Sequence, residues 1–131
     1  MGLLLDTSVL IMLRDADTPF DAVLAALDDI PAMSLISRVE LEGGVVAKPE
    51  LRAGRRAALD ALLSTFPVID FDDACVAAYR SIVEKIGFSR ARTLDRMIAA
   101  TALVHDFAVV TTNERDFRDV PDLRLEPWSA T

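Results

Sequence analysis

Short unbroken apolar runs alternate along this chain with longer segments of helical period. Gly2 to Leu5 is a continuous apolar run closed by Asp6, the pattern of a strand buried on both faces. Thr7 and Ser8 follow where a helix would need its caps. Pro19 to Leu27 predicts a helix with Pro19 near its first turn. Ala32 to Ile36 predicts a second strand, and Ser37 opens a helix running to about Ala47, ended by Lys48-Pro49. Leu51 to Leu63, rich in alanine and leucine, predicts a further helix. Pro67 to Phe71 predicts the third strand, and Asp72 to Ile86 a helix stopped by Gly87. Leu94 to Val104 reads as another helix, and Phe107 to Thr111 as a strongly apolar fourth strand. Leu123 to Leu125 predicts a short edge strand before Pro127.

Strands separated by helices imply parallel pairing, because parallel neighbours need crossover connections. Such crossovers are almost always right-handed and leave both sheet faces covered. Sites in these sheets form beyond the carboxyl ends of the strands. Asp6 ends the first strand, Asn113 and Asp116 follow the fourth, and Glu40 falls in the first turn after the second. With 131 residues and no repeat or linker, the chain predicts one domain over 1–131.

Composition narrows the setting. Hydrophobic residues are 52% of the chain, far from a disordered composition. The single cysteine, Cys75, excludes an internal disulfide and fits a reducing, cytoplasmic compartment. Asp6 interrupts the N-terminal run too early for a secretory leader, and no run approaches the roughly 20 apolar residues of a membrane span. A net charge of −7 argues against broad nonspecific nucleic-acid binding. Four of those charges belong to the acids discussed next, and arginines cluster at Arg90, Arg92 and Arg96 and at Arg115 and Arg118.

Each acid, taken alone, has a plain reading. Asp6 could be a helix N-cap. Ser37-Arg38-Val39-Glu40 has the form of a capping box, which would give Glu40 a structural role; Glu42 faces elsewhere on the helix. Asp95 could complement a helix dipole, although it shares a small apolar face with Ile98, Ala99 and Ala102. Asp116 could be a loop acid paired with Arg115 or Arg118, and Asn113 offers an amide oxygen nearby. Together they read differently. Clustered carboxylates repel and take up protons unless a cation relieves them, and an all-oxygen set suits Mg²⁺ or Mn²⁺. Such ions serve phosphodiester cleavage. The lone His105 reads as a helix-end residue and Cys75 as core.

Four pieces, in order and spacing, resemble the PIN-domain ribonucleases, specifically the VapC-like toxins of type II toxin–antitoxin systems. They are Leu4-Leu5-Asp6-Thr7-Ser8-Val9-Leu10-Ile11; Ser37-Arg38-Val39-Glu40-Leu41 with Gly43-Gly44; Asp95-Arg96-Met97-Ile98-Ala99-Ala100-Thr101-Ala102-Leu103; and Val110-Thr111-Thr112-Asn113-Glu114-Arg115-Asp116-Phe117. The resemblance implies an α/β/α sandwich around a mostly parallel sheet of four or five strands. It implies a Mg²⁺- or Mn²⁺-dependent endoribonuclease acting on tRNA, rRNA or mRNA, a homodimer, and neutralisation by a VapB-like antitoxin. Asp6, Glu40 and Asp95 fall on the family's regular acidic positions; the fourth is assigned to Asp116, with Asn113 standing where some members carry an acid. The rival from another class is a catalytically inactive PIN-like module that binds RNA or protein, which would be expected to lack one of the acids. A receiver domain would need an acidic pair after the first strand and a later lysine. An aspartyl phosphatase would need a second Asp where Ser8 stands.

Overall fold

The computed structural model describes residues 2–15 and 31–128. The helix expected over Pro19–Leu27 lies outside the described residues. Within them, five strands form one sheet: β1 Leu3–Leu5, β2 Pro31–Ser34, β3 Val68–Ile69, β4 Ala108–Thr111 and β5 Leu125–Pro127. All pairings are parallel and the strand order is β3-β2-β1-β4-β5. The helices are α1 Thr7–Asp15, α2 Leu35–Ala47, α3 Arg52–Thr65, α4 Asp73–Ile86 and α5 Thr93–His105.

Side chains on a strand alternate between faces, and this splits the core in two. Leu3, Leu5, Met33, Ala108 and Val110 pack with Val9 and Leu10 of α1, Leu41 and Val45 of α2, and Leu59 and Leu62 of α3. Leu4, Ala32 and Val109 face the other way, onto Ile82 of α4 and Ile98, Ala99 and Ala102 of α5. Ile98 through Ala102 are all buried, and the alanines let α5 lie close to both the sheet and α4. Leu59 and Leu62 of α3 are buried in the first of these clusters, and Leu63 packs against it.

The chain leaves β1 toward β2 and β3 on one side, then returns to place β4 and β5 on the other. The order therefore reverses between β1 and β4, the place where open parallel sheets bind ligands. Leu5 pairs with Met33 on one side and Val110 on the other, so the ends of β1, β2 and β4 lie side by side.

Two sequence expectations need correction here. The second strand ends at Ser34, and α2 begins at Leu35 rather than Ser37. Ser34 is the N-cap, its Oγ accepting the Ser37 N–H at 3.0 Å. Ser37 is thus inside the first turn, no Ser37–Glu40 capping box forms, and Glu40 lies in the second turn. Arg96 is also not part of a surface cluster of arginines. It is 4% exposed, with its guanidinium on the Gly87 carbonyl and Asp119.

Candidate active site

Asp6 follows β1 directly and is 4% exposed. Its N–H still donates to Val110 of β4 at 2.9 Å, so the residue is held by the sheet as well as by α1. Its carboxylate accepts three bonds. Thr7 N–H reaches Oδ1 at 2.7 Å, while Ser8 Oγ and Thr111 Oγ1 each reach Oδ2 at 2.8 Å. A helix N-cap usually takes the N–H of the second or third helical residue; this carboxylate instead joins the ends of β1 and β4. Thr7 and Ser8, expected as caps, serve the acids.

A hydroxyl carries one proton, so the direction of each relay is fixed. Asn113 N–H donates to Thr111 Oγ1, which donates to Asp6; Thr112 N–H donates to Ser8 Oγ, which also donates to Asp6. On the neighbouring strand, Ser34 Oγ donates to Ser37 Oγ. Thr7 Oγ1 gives its proton to Glu40 Oε1 at 2.8 Å, so in the 2.8 Å contact between Thr7 and Ser37 it is Ser37 that donates. All three relays end on a carboxylate as acceptor, two on Asp6 and one on Glu40. Glu40 is therefore a partner of the β1–α1 junction and not a cap. Glu42 is engaged elsewhere, by Arg56 and Arg38.

Asp95 stands in the first turn of α5, where the helix dipole favours an acid. That help is outweighed. Burial, together with the charges of Asp6, Asp116 and Glu40 and against the pull of Arg92, pushes its carboxyl from the usual 3.8 up to about 6. Burial also raises Glu40, with Asp6 adding to the rise and the Thr7 hydrogen bond opposing it. The four predicted acids thus feel one another. Asp116 ends a short 3-10 turn after β4 and pairs with Arg92, 3.5 Å from its Nη1, instead of with Arg115 or Arg118. Asn113 is exposed and enters through its backbone N–H on Thr111.

Among the described residues, no three ligating side chains stand close enough together to grip an ion as they are. The donor set nonetheless fits one. It is all oxygen, and burial together with the charges of Asp6, Asp116 and Glu40 pushes the Asp95 carboxyl up to about 6. A carboxylate has about four acceptor directions, and Asp6 uses three, leaving one on Oδ1.

The PIN domain family model matches residues 3–123. The chain belongs to the PIN-domain family. The PIN domain here is 32% identical to Ribonuclease VapC2 of Rickettsia felis over 108 residues, 80% of this chain and 79% of that protein. Its fold superposes on the VapBC2 structure from Rickettsia felis, bound to a DNA fragment from the promoter, with a TM-score of 0.82. That match has 27% identity and covers 98% of this chain and 100% of that one. A further match is VapBC-5 of Mycobacterium tuberculosis, a member of the VapBC family of toxin–antitoxin systems. Its TM-score is 0.70 at 26% identity, covering 96% of each chain.

Within this PIN domain the sequence offered the four acids as candidates, whereas Thr7, Ser8 and Thr111 as hydrogen-bond donors to two of them, and Arg92 as the partner of Asp116, were not read from it. The only signal for the three hydroxyls was position, flanking Asp6 or ending β4. Cys75 and His105 stay outside the site. The thiol is fully buried and burial raises it, and His105 closes α5 on the surface.

Proposed function

We propose that this PIN domain is an endoribonuclease, the toxin of a toxin–antitoxin pair, which cuts RNA phosphodiester bonds with Mg²⁺ or Mn²⁺ held by Asp6, Glu40, Asp95 and Asp116. One observation carries the reading. Four acids from four different elements lie near enough for the charges of Asp6, Asp116 and Glu40 to act on Asp95, and hydroxyl relays orient two of them. A structural role explains such a cluster poorly, because each added carboxylate raises the energy of the others. A divalent ion, when bound, supplies a Lewis acid and an activated water. The protein's own part is to fix the acids. Asp6 is locked by strand and helix, Glu40 is aimed by Thr7, and Asp95 is half-buried on the rigid first turn of α5.

The relatives are VapC and VapBC proteins, which supports a VapB-like antitoxin as the protein partner and tRNA, rRNA or mRNA as the substrate, in the cytoplasm. Among the described residues no helix is long and apolar enough to cross a membrane. A homodimer is part of the same reading. Ile11 and Met12 of α1 and Val39 and Val46 of α2 are exposed apolar side chains, the kind of surface that marks an interface.

Induction of the chain without its antitoxin tests the proposal in cells. Growth should stop, and Asp6→Asn, which keeps the size of the side chain and removes its charge, should let growth continue. Equal arrest by a stably folded Asp6→Asn protein would remove Asp6 from the chemistry.

A further inference from the structure

Phe88 is 71% exposed, more than any other large hydrophobic side chain among the described residues. It lies between α4 and α5 in Gly87-Phe88-Ser89-Arg90-Ala91-Arg92, the segment that leads into Asp95. This segment is pinned along its length. The Gly87 carbonyl accepts from the buried Arg96 guanidinium at 2.7 Å. The Ser89 carbonyl accepts from Thr93 Oγ1 at 3.0 Å and from Arg92 N–H at 3.3 Å. Gly87 itself takes φ 86°, which sets the direction in which the segment leaves α4. An aromatic ring is therefore presented to water on a fixed backbone, with exposed Arg90 two residues on and Arg92 two further.

Arg92 connects the segment to the site. Its Nη1 meets the Arg115 carbonyl at 3.3 Å and Asp116 Oδ1 at 3.5 Å, both long for charge-assisted bonds, and its side chain is one-third exposed. These contacts leave it able to engage a phosphate. An RNA backbone approaching four carboxylates needs a cation beside them, and Arg92 is one that reaches Asp116.

We propose that the Phe88–Arg92 segment is the substrate-holding element. Phe88 stacks on an unpaired base of single-stranded RNA, and Arg90 and Arg92 hold the adjoining phosphates so that the strand runs into the carboxylate cluster. Unpaired bases stack on aromatic side chains without regard to sequence, so the segment selects loops and single strands over duplex. This inference rests on the ribonuclease reading, and the following experiment separates the two.

Binding of a fluorescein-labelled single-stranded oligoribonucleotide is followed by anisotropy in Ca²⁺ with the full chain, and cleavage of the same RNA is followed in Mn²⁺. Phe88→Ala should weaken binding about tenfold or more, the loss expected of one stacked base, with an unchanged melting temperature and an unchanged salt slope. Phe88→Trp should restore it. Arg92→Gln should weaken binding and reduce the salt slope by about 0.7. A parent that cleaves RNA while Phe88→Ala binds as tightly as the parent overturns this inference alone. So does a Phe88→Ala protein whose oligomeric state changes while RNA affinity per protomer does not, which would make Phe88 a protein contact. A parent that binds through Phe88 but does not cleave supports this inference and refutes the nuclease. A parent that does neither overturns both.

Discussion

Three donors converge on the Asp6 carboxylate, and one of them comes from the far end of the chain, at Thr111. Truncating Asp6 to Ala would strand Thr7 N–H and two hydroxyls in a buried place, so Asp6→Ala should cost about 1–3 kcal/mol of stability even in chelator. Asp95 should behave in the opposite way. Its carboxyl is raised to about 6 by burial and by Asp6, Asp116 and Glu40, so the fold favours its protonated form. The stability this contributes is complete below the usual 3.8 and is lost as pH rises through about 6. Glu40, raised chiefly by burial, adds in the same direction. Asp15 and Asp72 are lowered, by Arg14 and by Cys75 N–H respectively, and do not oppose the trend, since they lose their contributions only at acid pH. In EDTA the melting temperature should therefore fall from about pH 5 to about pH 7. Asp95→Asn should flatten that fall and match or exceed the parent at pH 7, as thermal melts across pH would show. A melting temperature that rises over this window, with Asp95→Asn destabilised at pH 7, would mean the acids are not in conflict.

At the scale of elements, the central strands were plain in the sequence and the boundaries near the sheet edges were not. β1 and β4 are paired on both sides, buried on both faces, and appear as unbroken apolar runs. β3 and β5 are the edges. β3 shrinks from Pro67–Phe71 to Val68–Ile69, and β5 shifts to Leu125–Pro127, where an edge strand can accept Pro127 without losing an inward hydrogen bond. The start of α2 was hidden for another reason. Met33-Ser34-Leu35-Ile36 is apolar apart from one serine, and Ser34 and Ser37 both have cap chemistry, so only tertiary contact decides between them. That choice takes Glu40 out of a capping role and leaves it as the acceptor of the Thr7 hydroxyl. The stop at Gly87 was legible, and it has a clear energetic test. Its φ of 86° with ψ of 160° is open essentially to glycine alone. Gly87→Ala should cost about 1–3 kcal/mol, measured by urea denaturation. A variant as stable as the parent would show that the turn relaxes freely and that the backbone around Phe88 is not fixed.

For the molecule as a whole, the order of strands does what no single residue could. It sets the end of β1, where Asp6 follows from the start of the chain, next to β4 and the turn holding Asp116 that follows it, at the place where the sheet reverses direction. Sequence could place each acid at a strand end or helix start. It could not show the relays, because a hydrogen bond between residues 105 positions apart leaves no local trace. The exposed apolar side chains of α1 and α2 predict a homodimer, so light scattering at micromolar concentration should give twice the protomer mass, and a monomer there would contradict it. The central claim is that the four acids form one divalent-ion site that cuts RNA. The most direct measurement follows melting temperature and RNA cleavage together across a Mn²⁺ titration begun in EDTA. The account predicts that Mn²⁺ stabilises the parent by mass action, stabilises Asp6→Asn, Glu40→Gln and Asp95→Asn less, and switches on cleavage in the parent alone. A parent whose melting temperature ignores Mn²⁺ and whose cleavage persists in EDTA would contradict it.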